Sequence, residues 1–138
     1  MSERIKKASE MFLDKYNCSQ AVLSVFSEKY GVDTETAIRI ACGLGSGCRS
    51  ADICGAVSGA VLVIGLKYGA DTSVCNSKTE EFLKEFDAVN GGTVCRNLLG
   101  CDITTAGGRE KAVREDLFKT RCLNLVASAV DILENSEY

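Results

Sequence analysis

The chain has 138 residues and 14.8 kDa, the size of one domain at about 150 residues each. Its 46% hydrophobic and 25% charged residues suit a globular core and not a disordered chain. Sixteen Lys and Arg against nineteen Asp and Glu leave a net charge of −3, which argues against general affinity for DNA or RNA, a property of basic surfaces. Histidine is absent and cysteine occurs eight times. Ser-His-Asp and Cys-His catalysis and imidazole metal sites are therefore excluded within this chain, leaving chemistry to sulfur or carboxylate.

Periodicity is helical almost throughout. Ile5, Ala8 and Phe12 mark one face of a first helix behind a Ser2 cap, and Ala21, Val22, Val25 and Phe26 mark a second that stops at Gly31. Asp33 caps a third through Ala37, Ile38 and Ala41, which runs out in the loop Gly43 to Gly47. A fourth, central helix begins near Asp52 and stops at Gly69; Gly55, Ala56, Ser58, Gly59 and Ala60 in its first half let other backbone approach. Ser77 to Glu80 has capping-box spacing ahead of Phe82, Phe86 and Val89, and Asn90-Gly91-Gly92 ends that helix. A short helical turn around Val94 to Leu99, a loop from Gly100 to Gly108, a charged helix from Arg109 to Lys119 and a C-terminal helix bearing Cys122, Val126, Ala129, Val130 and Leu133 complete the chain. Alternating strand patterns are absent. The expectation is an all-α, compact single-domain bundle of five to six helices over residues 1–138.

The charged start Met1 to Lys7 leads to no apolar h-region, so no signal peptide is expected. The longest uncharged apolar run, Ile53 to Leu66, has 14 residues, short of the about 20 needed to cross a bilayer. No membrane insertion and a cytoplasmic location follow as expectations. In the cytoplasm thiols are kept reduced, so eight cysteines call for more than a static disulfide scaffold.

The glycine run does not supply a nucleotide site: Gly43-x-Gly45-x-x-Cys48 lacks the third glycine and follows a helix, and no Gly-Lys-Ser/Thr occurs. The cysteines are Cys18, Cys42, Cys48, Cys54, Cys75, Cys95, Cys101 and Cys122, with no Cys-x-x-Cys pair. That weakens zinc ribbons, ferredoxin-like runs and the thioredoxin motif together. Any shared site must be assembled from distant segments. Asn17 precedes Cys18, Asp52 stands two before Cys54, Thr93 two before Cys95 and Thr120 two before Cys122. Asn, Asp and Thr are preferred N-caps, so this spacing predicts all four thiols in first turns of helices. There the orphan N–H groups and positive dipole end favour a thiolate, and Cys54 is expected to alkylate unusually fast. Acidic residues offer less: Glu35, Glu80 and Glu81 read as first-turn dipole partners. The basic residues Arg109, Lys111, Arg114, Lys119 and Arg121 read as a solvated face or docking patch.

With these elements the chain resembles the redox-active protein family named for a Cys, a Cys-Gly-Ala-x-x-Gly block and two further Cys. The block is Cys54-Gly55-Ala56-Val57-Ser58-Gly59; the first element is Asn17-Cys18-Ser19-Gln20-Ala21-Val22, the third Cys95-Arg96-Asn97-Leu98-Leu99-Gly100, and the fourth Cys122. The likeness runs from about residue 5 to 135. The resemblance implies a small helical bacterial or archaeal protein doing redox chemistry, without naming a substrate. Three mechanisms stay open: dithiol/disulfide exchange among Cys18, Cys54, Cys95 and Cys122 with a redox partner protein, ligation of an iron–sulfur cluster by the same four, and a non-catalytic four-cysteine zinc site in an accessory domain. Exchange is the first choice. Whether the chain is an enzyme, its oligomeric state and the roles of Cys42, Cys48, Cys75 and Cys101 are left open by the sequence.

Overall fold

A computed structural model describes residues 2–138. The α-helices are α1 (Glu3–Asp14), α2 (Cys18–Ser27), α3 (Thr34–Ile40), α4 (Gly55–Tyr68), α5 (Thr72–Asn90), α6 (Cys95–Leu99), α7 (Ala106–Arg114) and α8 (Leu123–Asn135). The all-α expectation holds, with more helices than the five or six expected. Among the described residues the only β-type pairing is an isolated antiparallel bridge between Ile53 and Val94.

Local chemistry explains most of the starts and stops. The Ser2 hydroxyl accepts the Ile5 N–H at 3.1 Å. Asn17 and Gln20 form a reciprocal capping box, each side chain accepting the other's N–H at 2.9 Å, which satisfies two orphan donors at the start of α2. Asp33 accepts the Thr36 N–H at 3.1 Å to begin α3. Gly31 and Gly91 end their segments in left-handed conformations, φ +84° and +82°, the usual use of glycine beyond a helix C-terminus.

Four boundaries differ from the sequence reading. Helix α5 begins a turn and a half earlier than Ser77, because the Asp71 side chain accepts the Val74 N–H at 3.2 Å; Glu80 and Glu81 are thus mid-helix, not first-turn. Helix α4 begins after Cys54, which is itself the N-cap, and Asp52 caps nothing. The charged helix starts at Ala106, where the Thr105 hydroxyl accepts the Gly108 N–H at 3.0 Å, and ends at Arg114. In place of a Thr120 cap, a π-helical turn, Phe118–Cys122, runs straight into α8.

Helix α4 is the centre, packed by α2, α5 and α8, with α1 laid across α2 and α8. Phe26, Val57, Val63, Ile64, Phe86, Val126, Val130 and Leu133 are fully buried there. Close approach of α2 and α4 depends on Gly59: a Cβ at that position would lie 2.8 Å from the Ser19 carbonyl oxygen and 3.0 Å from its Cα. The Ser19 hydroxyl donates to the Gly55 carbonyl at 2.7 Å, pinning the same crossing. The small residues of the central block thus place the start of α4 against the start of α2. No helix among the described residues is long and apolar enough to cross a membrane.

Candidate functional site

The four cysteines selected in the sequence come from the start of α2 (Cys18), the residue capping α4 (Cys54), the start of α6 (Cys95) and the π-turn before α8 (Cys122). All four line one cavity of about 100 Å³. Its remaining wall is largely apolar, with Phe12, Leu98, Leu99, Ile103, Phe118 and Leu125 beside Asn17, Ser46, Gly47 and Gly55. Cys42, Cys48 and Cys75 do not line it; Cys101 packs against its Cys95 side without facing the cavity. Cys18 is half-buried, whereas Cys54, Cys95 and Cys122 are buried.

Two glycines make the convergence possible. A Cβ on Gly55 would stand 3.0 Å from the Cys18 Cβ, and one on Gly47 would stand 3.0 Å from the Cys95 Cβ. The second contact belongs to a turn the composition could not reveal as more than a loop. Ser46, Gly47, Cys48, Arg49 and Ala51 all have φ between +53° and +62°, forming a left-handed turn closed by the Asp52 N–H on the Gly47 carbonyl at 3.0 Å. Each non-glycine residue in that conformation costs roughly 1–2 kcal/mol. The strain is held in place by neighbours: the Cys54 N–H donates to the Thr93 carbonyl at 2.8 Å, the Cys95 N–H to the Asp52 carbonyl at 2.6 Å, and Arg96 Nη1 to the Ala51 carbonyl at 3.1 Å. These bonds tie the segments bearing Cys54 and Cys95 together.

First-turn placement does not hold for all four thiols. Cys18 sits at a properly capped N-terminus. Cys122 has its N–H on the Leu117 carbonyl at 3.0 Å inside the π-turn, so no orphan amide surrounds it. Burial pushes the Cys54 thiol up, opposed but not overcome by the Ala56 and Val57 amides and by Arg121. Burial likewise pushes Cys95 from 9.0 up to about 12, with Cys54, Cys122 and Cys101 adding to the rise. Burial thus works against the expected fast alkylation of Cys54, because desolvation of a buried thiolate outweighs the helix-end amides.

The lowered thiol is Cys122. Its interaction with the Cys18 thiol holds Cys122 below the ordinary value, and the same interaction together with burial raises Cys18 well above it. Arg121 also favours the Cys122 thiolate. Its guanidinium turns inward, donating to the Asn90 carbonyl at 2.6 Å and the Leu98 carbonyl at 3.3 Å at the ends of α5 and α6. The sequence reading placed Arg121 on a solvated basic face; the π-turn rotates it onto the thiol site instead. Its position immediately before Cys122 was the signal available.

Among the described residues no three His, Cys, Asp or Glu side chains are gathered so as to hold a single metal ion. The sulfurs surround a cavity and do not meet at a point.

The fold and site define a small helical protein in which thiols from four separate segments share one apolar pocket. Residues 16–136 match the family described as "Putative redox-active protein (C_GCAxxG_C_C)", and the chain belongs to that family. The description writes the central block as Gly-Cys-Ala, where this chain reads Cys54-Gly55-Ala56. No curated protein and no solved structure matches the chain.

Proposed function

We infer that the chain is a thiol redox protein cycling between a Cys18/Cys122 dithiol and the corresponding disulfide, with Cys54 and Cys95 as neighbouring thiols of the same centre. The observation that carries this reading is that Cys18 packs against the cluster holding buried Cys122 and that both line one apolar pocket of four cysteines. A thiolate next to a proton-bearing thiol is the reduced form of an exchange pair.

During oxidation, the Cys122 thiolate attacks one sulfur of a disulfide oxidant. A mixed disulfide forms and the oxidant's other sulfur leaves as thiolate. The Cys18 thiol gives its proton to that thiolate and attacks the Cys122 sulfur, closing the Cys18–Cys122 bond and expelling the second oxidant sulfur as thiolate. Two electrons pass to the oxidant. During reduction an incoming thiolate attacks Cys18 and expels Cys122, since the thiol of lower pKa is the better leaving group. A second thiol of the donor then frees Cys18.

A second reading draws on the same donor set. Four thiols around an apolar cavity fit an iron–sulfur cluster in number and type. Cys18, Cys54, Cys95 and Cys122 would hold it, and the cluster when bound supplies one-electron transfer. Anaerobic purification followed by a visible spectrum, metal analysis and peptide mapping of the oxidised, alkylated protein separates the two. The exchange reading expects a colourless protein with a Cys18–Cys122 linked peptide and with Cys42, Cys48 and Cys75 alkylated. A brown protein with stoichiometric iron and sulfide replaces it by the cluster reading. A colourless protein whose disulfides omit both Cys18 and Cys122 overturns it.

A further inference from the structure

A second cavity, of about 320 Å³, lies against the thiol pocket and shares Ser46 and Ile103 with its wall. Its other lining residues are Arg49, Thr104 and Arg109. Arg49 rides on the strained left-handed turn, and its Nη1 donates to the Ser46 hydroxyl at 3.3 Å. Arg109 stands in the first turn of α7 with its guanidinium 5.6 Å from the centroid of the Phe118 ring, itself a wall of the thiol pocket. Neither arginine belongs to any of the ion pairs formed among the described residues. Nearby Asp102 stays ionised, accepting from the Thr104 N–H at 2.9 Å and the Thr104 hydroxyl at 2.5 Å, and is outnumbered by the two arginines. In a chain with net charge −3, two guanidinium groups without ion-pair partners at the edge of the reactive pocket form a local positive vestibule.

Guanidinium groups bind carboxylates with planar, bidentate geometry. The outer cavity lies at the small end of the range for small-molecule sites, about 300–1,000 Å³, and the inner one, about 100 Å³, has room for little beyond a sulfur and its neighbouring methylene groups. From this pairing of a basic outer chamber with an apolar inner one that holds the thiols, we propose that the redox partner of the pocket is a low-molecular-weight disulfide bearing carboxylates, anchored by Arg49 and Arg109 while one of its sulfurs enters between Ser46 and Ile103. The proposal rests on the exchange reading above. One turnover converts two protein thiols and one ligand disulfide into the Cys18–Cys122 disulfide and two ligand thiols. The Cys122 sulfur first forms the mixed disulfide, and the Cys18 sulfur then displaces the remaining ligand half.

The test uses oxidised glutathione as the carboxylated probe, hydroxyethyl disulfide as the uncharged probe and S-methylglutathione as a ligand that cannot exchange. Reduced protein is mixed with each disulfide and Cys18–Cys122 formation is followed by quenched peptide mapping; S-methylglutathione binding is followed by calorimetry. Replacing both arginines, R49Q with R109Q, is expected to slow oxidation by oxidised glutathione about tenfold per arginine, the scale of a lost charge-assisted hydrogen bond. Hydroxyethyl disulfide should change by less than twofold, R49K with R109K should recover only part of the glutathione rate because lysine keeps the charge but not the bidentate fork, and S-methylglutathione binding should vanish in the glutamine pair. Equal loss with both disulfides, or unchanged glutathione rate and S-methylglutathione binding in the glutamine pair, overturns the anion vestibule. Arginine-dependent S-methylglutathione binding without oxidation by either disulfide keeps the vestibule and overturns the exchange chemistry instead.

Discussion

Cys122 and Cys54 face the same cavity, yet their surroundings push their thiols in opposite directions. The Cys18 thiol and Arg121 hold Cys122 down, whereas burial dominates at Cys54. In reduced protein near neutral pH, Cys122 is therefore expected to alkylate ahead of Cys54 and Cys95, and Cys18→Ala should remove that lead; residue-resolved iodoacetamide labelling reads both. Cys95 carries the opposite consequence for stability. Its thiol titrates near 9.0 when ordinary and near 12 in the fold, so between those values the unfolded chain has lost a proton that the native protein keeps. Stability contributed by Cys95 is complete below that window and falls through it by about 1 kcal/mol per pH unit. Cys18 and Cys54 act in the same direction and Cys122 opposes them. Urea denaturation of reduced protein at pH 8 and pH 10 should show the loss, and Cys95→Ala should lessen the pH dependence. Cys48 makes a different point: it is exposed, outside the pocket and left-handed at φ +58°. Cys48→Gly should stabilise the protein by about 1 kcal/mol by removing the Cβ penalty, with labelling of the pocket thiols unchanged.

At the level of elements, the site depends on how near α2 comes to α4. Gly59 and Gly65 both lie within α4, where alanine ordinarily gains about 1 kcal/mol over glycine. A Cβ on Gly65 meets nothing within 4 Å, while one on Gly59 meets Ser19 backbone at 2.8 and 3.0 Å. Gly65→Ala should accordingly stabilise by up to about 1 kcal/mol, and Gly59→Ala should destabilise by about 1–3 kcal/mol through overpacking. Chemical denaturation of both variants checks the sign. Gly59→Leu should go further, parting the helices and loosening the Cys18 contact with Cys122, seen as loss of the Cys122 labelling lead. The close approach was legible because a helix that retains glycines four apart advertises a crossing. The caps were legible where a side chain alone decides the start, as at Ser2, Asn17 and Asp33. They were not legible at Cys54 and Cys122. At Cys54 the backbone amide is claimed by Thr93, 39 residues away, which no local pattern encodes, and at Cys122 by Leu117 at i−5 in a π-turn that the helical period does not anticipate. The left-handed turn at Ser46 to Ala51 was hidden for a related reason. Four non-glycine residues there adopt a conformation that propensity disfavours, held by bonds from Asp52, Cys95 and Arg96 that only the assembled fold supplies.

For the whole molecule, the pair Cys18 and Cys122 joins the beginning of the bundle to its end. The same two regions already meet without it: α1 packs on α8, Arg4 lies 3.6 Å from Glu134, and the Ser2 hydroxyl donates to Glu134. Because those contacts bring the sulfurs together before any bond forms, the disulfide should close a loop of roughly 100 residues with little rearrangement. Chain entropy gives such a closure about 4.7 kcal/mol of stabilisation relative to the reduced chain. The oxidised protein should then melt about 10–20 °C above the reduced one, at roughly 2–4 °C per kcal/mol for a domain of this size. Cys18→Ser/Cys122→Ser, which cannot form the bond, should show no difference between oxidising and reducing buffers. Linkage fixes a further expectation: free energy that the disulfide adds to the fold must be overcome when the disulfide is reduced. At about 30 mV per 1.4 kcal/mol for a two-electron couple, the native Cys18–Cys122 couple should be on the order of 100 mV more reducing than the same two cysteines in the urea-unfolded chain. Equilibration against glutathione buffers in native and denaturing solution measures that gap. A gap near zero would mean that the fold gains nothing from the bond, contrary to the packing of Cys18 against the cluster that contains Cys122.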